Sequence, residues 1–131
     1  MTRKRKGNGL TGRWVAHSLE MLECPAWRSL TLAARLVLDR LEIEHVRHHG
    51  KRNGNLAVSY GQFLDYMGWT KPNSVTAAIQ QLANLGFLEV LERGRWNGRR
   101  PSRYRLTYLP TPRSAAYRRM ALIANPRVSN F

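Results

Sequence analysis

Between Thr31 and about His48, apolar residues fall on two sides of a helical projection. Leu32, Leu36 and Ile43 form one side, and Ala34, Val37, Leu38 and Leu41 form the other. Arg35, Asp39 and Glu42 follow at i, i+4 and i+7 as a polar stripe. A helix apolar on two sides is usually central to a small domain, and Thr31 is suited to cap its start. Ahead of it, residues 15–30 predict a short helical segment broken near Pro25, with Trp27 as a core anchor. Residues 1–13 are glycine-rich, basic and aperiodic, and read as a flexible arm.

The helix should give way to a loop over residues 49–55, which are rich in Gly and Asn. Leu56-Ala57-Val58 then reads as a short strand. Ser59 and Gln62 make a capping-box pair that opens a helix with Tyr60, Phe63, Leu64 and Met67 on one face. Gly68 should end it. A tight turn follows through Lys71, and Pro72 stands where a first helical turn tolerates proline. The next helix runs from about Pro72 to Leu85, and Gly86 stops it.

Leu88 and Val90 predict a strand, and a second is marked by Tyr104, Leu106 and Tyr108 alternating with Arg103, Arg105 and Thr107. The Asn97-Gly98 pair between them favours a hairpin turn. Pro110 and Pro112 interrupt the chain, and a last helix is expected from about Ser114 to Ala124. The fold class is therefore α+β, mainly helical, with a two-stranded hairpin and a third short strand at 56–58. Its layout is an arm over 1–13, one domain over 14–109, and a basic extension over 110–131.

Charge sharpens this outline. The net charge is +14, and every acidic residue lies between Glu20 and Glu92. Arg3 to Arg13 carries only basic charge, as does everything from Arg93 onward, where the basic residues are all Arg. Arginine suits bidentate phosphate or guanine contacts better than lysine. A polyanionic partner is implied, nucleic acid before an anionic membrane surface.

The helix over 72–85 carries the candidate chemistry. Val75, Ala78, Ile79, Leu82, Ala83 and Leu85 gather on the side that must pack inward. The other side holds Asn73, Ala77, Gln80, Gln81 and Asn84, flanked by Ser74 and Thr76, and bears no charge. A merely solvated face usually carries Glu and Lys. Asn and Gln both donate and accept, so they can bond an adenine edge without setting a carboxylate beside phosphates. The small Ala77 permits close approach and can touch a thymine methyl. These seven residues are the candidate base contacts. Lys71, Arg93, Arg95, Trp96, Asn97, Arg99, Arg100 and Arg103 are the candidate backbone contacts, mostly on the hairpin. Arg3, Lys4, Arg5 and Lys6 form an arm able to lie in an adjacent minor groove.

The run from Leu56 to Leu88, with Leu82-x-x-Leu85-Gly86-Phe87-Leu88 at its end, is similar to the helix-turn-helix and first wing strand of bacterial and phage winged-helix proteins. The resemblance covers residues 18–109. It implies a recognition helix at 72–85, a wing at 93–102, and binding of double-stranded DNA, with transcriptional regulation as the expected role. The chain departs from the family pattern in having no basic residue on the recognition helix, only Lys71 before it, with basic charge moved to the wing. Replication initiation or plasmid maintenance is an alternative role on the same partner. An RNA- or ribosome-associated protein is an alternative of another class. Pairing of two copies on DNA stays open.

Other chemistry finds little support in the sequence. His45, His48 and His49 cluster near a helix end without Cys or paired carboxylates, whereas a structural zinc site wants four ligands. Cys24, the single cysteine, has no basic neighbours and reads as a core or boundary residue. No phosphate loop, nucleophile triad or carboxylate pair is present, so neither an enzyme, a cofactor nor a small-molecule ligand is expected. The basic start has no apolar segment behind it, and no window approaches the ~20 apolar residues of a membrane span. A cytoplasmic, nucleoid-associated location is expected.

Overall fold

The computed structural model describes residues 12–94 and 100–111. The expected arm residues Arg3, Lys4, Arg5 and Lys6, the hairpin residues Arg95, Trp96, Asn97 and Arg99, and the helix expected over 114–124 lie outside them.

The described residues form an α+β domain with helices α1 (Leu19–Glu23), α2 (Pro25–Arg28), α3 (Leu32–Arg47), α4 (Tyr60–Met67) and α5 (Pro72–Asn84). Strands β1 (Leu56–Val58), β2 (Leu88–Glu92) and β3 (Ser102–Leu106) make one antiparallel sheet in the order β1-β3-β2. The helix ends follow local chemistry. Thr31 caps α3 by accepting from the Ala34 N–H, and Ser59 and Gln62 close a complete capping box on α4. Gly68 ends α4 in the left-handed region at φ 73°, a conformation that suits glycine because it has no Cβ.

α3 is the central element, packing against α4, α5 and β1. Its core face is Ala34, Val37, Leu38 and Leu41, joined by Phe63 of α4, Val75 and Leu82 of α5, and Tyr104 and Leu106 of β3. A second set of contacts is aromatic: Trp27 meets Phe87 at 5.7 Å between ring centroids, and Phe87 meets Tyr108 at 6.5 Å. These edge-to-face pairs bind α2, the α5–β2 joint and the segment after β3 into one layer.

The helix projection of α3 needs correcting in three places, Leu32, Arg35 and Glu42, and it leaves Arg40 unassigned. Leu32, expected to be buried, is 66 % exposed. Arg35, expected on a solvated stripe, lies 4.8 Å over the Trp27 ring and donates to the Trp27 carbonyl at 3.0 Å. Glu42, of the same stripe, accepts from both His17 and Tyr108. Arg40 is buried and paired with Glu44 at 2.9 Å. A helix covered on three sides draws long polar side chains under its neighbours, and they stay because each finds a partner.

His17 contributes a pH dependence. Its Nε2 lies 2.7 Å from the Glu42 carboxylate, and that bond raises the imidazole above its ordinary range, with burial opposing. A raised folded-state value means a stabilisation fully present below about pH 6.5 and lost as pH climbs through the folded value. His17→Gln should therefore cost more at pH 5.5 than at pH 8.5, by about 1 kcal/mol. Urea unfolding of both proteins at both pH values measures this, and equal costs would exclude the coupling. His45, which burial holds below the usual imidazole range, cancels in the comparison because both proteins carry it.

Among the described residues, no helix is long and apolar enough to cross a membrane.

Candidate nucleic-acid interface

α4 and α5 are joined by the tight segment 68–71, in which the Gly68 and Trp69 N–H groups both return to the Leu64 carbonyl at 2.9 and 3.1 Å. Lys71 precedes α5, exposed, without a side-chain capping bond. Val75, Ala78, Ile79 and Leu82 are buried, as the helix pattern requires. Ala83, expected on that inward side, is exposed. It stands one residue beyond Leu82, at the rim of the packed stripe.

The outer face divides. Asn73, Thr76, Ala77, Gln80 and Asn84 are exposed, and Ser74 is half-buried. No residue of α5 carries a charge. Gln81 differs from its expected companions: it is half-buried, with both amide atoms bonded to the α2–α3 junction.

The hairpin is fastened to the end of α5. The Phe87 N–H returns to the Leu82 carbonyl at 2.9 Å, and the Thr107 N–H donates to the Phe87 carbonyl at 3.0 Å. Within the hairpin a β-bulge sets Val90 opposite Tyr104 and Glu92 opposite Arg103, so Leu91 has no partner and faces outward. Glu89 pairs with Arg105 at 2.6 Å and Glu92 with Arg103 at 3.1 Å. The sheet's acidic charge is thus matched across the strands. Arg103, expected as a backbone contact, also donates to the Asn55 Oδ1 at 2.7 Å and is largely occupied. Arg93 and Arg100 are exposed at the hairpin mouth, after β2 and before β3. That mouth is tight: the Gly94 N–H donates to the Ser102 Oγ at 2.8 Å, and a Cβ on Gly94 would run into the Arg100 carbonyl.

A short chain of contacts connects this mouth to the exposed face of α5. Val58, the last residue of β1, is in register with Ser102, the first of β3. Two residues on, Tyr60 opens α4, and its hydroxyl lies 3.2 Å from the Thr76 Oγ1 on α5. The buried Tyr104 marks the same place from below. Burial pushes its phenol up to about 12, and the neighbouring Tyr60 and Arg93 both act on it. α5 therefore meets the start of α4 at Thr76, and the start of α4 directly follows the strand that pairs with β3 at the arginine-flanked mouth.

Tyr60 was legible in the sequence only as an apolar residue of α4. Its place beside Thr76 depends on how the two helices cross, which no local pattern encodes. The histidines weighed as a cluster part ways: His45 is buried, His48 bonds Glu44 at 2.9 Å, and His49 lies 3.1 Å from the Arg13 guanidinium. Cys24 is buried, and its sulfur caps α2 by accepting the Trp27 N–H at 3.4 Å.

Compared with family models, with curated proteins and with solved structures, the chain finds no match.

Proposed function

We propose that this domain binds double-stranded DNA as a winged helix-turn-helix and acts in transcriptional regulation. In this reading α4 and α5 are the helix-turn-helix, α5 enters the major groove, and the β2–β3 hairpin is the wing. The observation that carries the proposal is two unlike surfaces linked through Tyr60, whose hydroxyl meets Thr76: the exposed, uncharged Asn73, Ala77, Gln80 and Asn84 of α5, and the hairpin mouth bearing Arg93 and Arg100. The first has the neutral donors and acceptors that match base edges. The second has the charge that matches phosphate. Placing base contacts on an uncharged helix leaves affinity to the wing and to the basic segments beyond it.

That division of labour is testable in one experiment. Duplexes selected by the protein from a randomised pool are measured against Gln80→Ala and against Arg93→Ala with Arg100→Ala. The glutamine variant should lose about 1–3 kcal/mol of discrimination at one position while keeping its affinity for unrelated duplex. The arginine variant should weaken binding to every duplex alike. Equal loss of preference in both variants would remove the proposal's central distinction. Tighter binding of structured RNA in direct competition would favour an RNA partner.

A further inference from the structure

Gln81 belongs by sequence to the outer side of α5, yet its side chain turns back into the protein. Its Oε1 accepts from the Thr31 N–H at 3.3 Å and the Thr31 hydroxyl at 3.2 Å, and its Nε2 donates to the Ser29 carbonyl at 3.3 Å. Two of these partners donate and one accepts, so a single orientation of the amide satisfies all three. The partners are themselves fixed points. Ser29 is the C-cap of α2, and Thr31 is the N-cap of α3, its hydroxyl also accepting the Ala34 N–H at 3.1 Å. The amide therefore bridges α5 to the joint where α2 ends and α3 begins.

We infer that Gln81 is a positioning residue, its amide bridge to Ser29 and Thr31 setting the roll of α5 on α3 so that Asn73, Ala77, Gln80 and Asn84 face base edges together. This rests on the DNA-binding reading above. Val75, Ala78, Ile79 and Leu82 hold α5 to the core, but apolar burial is non-directional and tolerates small rotations. Hydrogen bonds are directional, and three of them converging on one planar amide define an angle. A small roll of α5 would carry every outward side chain out of line at once, whereas loss of one outward side chain affects only its own contact.

The test compares Gln81→Met, which keeps the length and removes the bridge, with Gln80→Met, which alters the outward face alone. In the free full-length protein, residual dipolar couplings of residues 72–84 should shift as a body relative to those of α3 in Gln81→Met, with helical chemical shifts retained. Unchanged couplings would overturn the inference without reference to DNA. On duplexes selected by the wild-type protein, Gln81→Met should lose preference across all positions and bind its best duplex about tenfold more weakly. Its affinity for poly(dI-dC) should hold, which a general loss of folding would not allow. Gln80→Met should lose preference at one position. A loss confined to one base pair in Gln81→Met would make Gln81 a direct reader, overturning the inference and leaving the DNA-binding reading intact. Failure of the wild-type protein to select any sequence would defeat base readout instead, with the couplings still deciding the role of Gln81. Should Gln81→Met not fold, Gln81→Glu keeps the acceptor for Thr31 and loses the donor to Ser29. Its couplings should then shift by a smaller amount in the same sense, and an absence of shift would overturn the bridge.

Discussion

Raising salt from 50 to 200 mM should weaken the complex with duplex DNA by ~10³–10⁵, on the expectation that ~6–10 phosphates are neutralised. Binding that displaces condensed counterions becomes less favourable as free salt rises, and the log–log slope counts the phosphates contacted. The chain has the charge for this, at +14, and none of it lies on the proposed recognition helix. The slope should therefore respond to the hairpin rather than to α5. Arg93→Ala with Arg100→Ala should flatten it by about two units, and Gln80→Ala should leave it unchanged. Fluorescence anisotropy across four or five salt concentrations measures both. A flat response in the wild-type protein would rule the mechanism out.

Replacing Asn53 by Ala should cost about 2–4 kcal/mol of folding stability, although the residue sits in a loop. Asn53 is only 4 % exposed. Its Oδ1 accepts the Leu106 N–H at 2.7 Å, and its Nδ2 donates to the carbonyls of Leu106 and Leu109 at 2.9 Å and of Pro110 at 3.2 Å. Alanine leaves a buried N–H and several carbonyls without this partner, and an unmet buried polar group costs its full desolvation. Asn53→Asp should be at least as damaging at neutral pH, since it sets a carboxylate against carbonyl oxygens, and should recover partly on acidification. Urea unfolding of the two variants gives both numbers. A loss below about 0.5 kcal/mol for Asn53→Ala would show that water replaces the amide.

The contrast between Asn53 and Ser59 shows what was legible in the sequence. Ser59 bonds a residue three positions away, and a capping box is visible to anyone reading along the chain. Thr31, Gly68, Gly86 and the alternation at Tyr104 and Leu106 are equally local, so the elements and their order could be anticipated. Asn53 bonds Leu106, far along the chain, and within a Gly/Asn-rich stretch it looks like any turn residue. Gln81 was misplaced for the same reason: a helical wheel ranks positions by angle and cannot show that Ser29 and Thr31 stand within reach of one of them. Ala83 was misplaced because alanine is small enough to sit on either side of a packing boundary. The reversals at Arg35 and Glu42 have a further cause, since long side chains with charged tips can lie under a neighbour and still find partners. Within the candidate interface, the exposure of Asn73, Ala77, Gln80 and Asn84 followed from periodicity. The link from Thr76 through Tyr60 to the hairpin mouth needed the fold.

The stretch from Val46 to Asn53 holds both ends of the domain. On one side the Arg13 guanidinium reaches the Val46 carbonyl at 3.3 Å, and on the other Asn53 grips the carbonyls of Leu109 and Pro110. One short stretch therefore ties down the chain at Arg13 and again at Leu109 and Pro110. Loosening that stretch would release both moorings together.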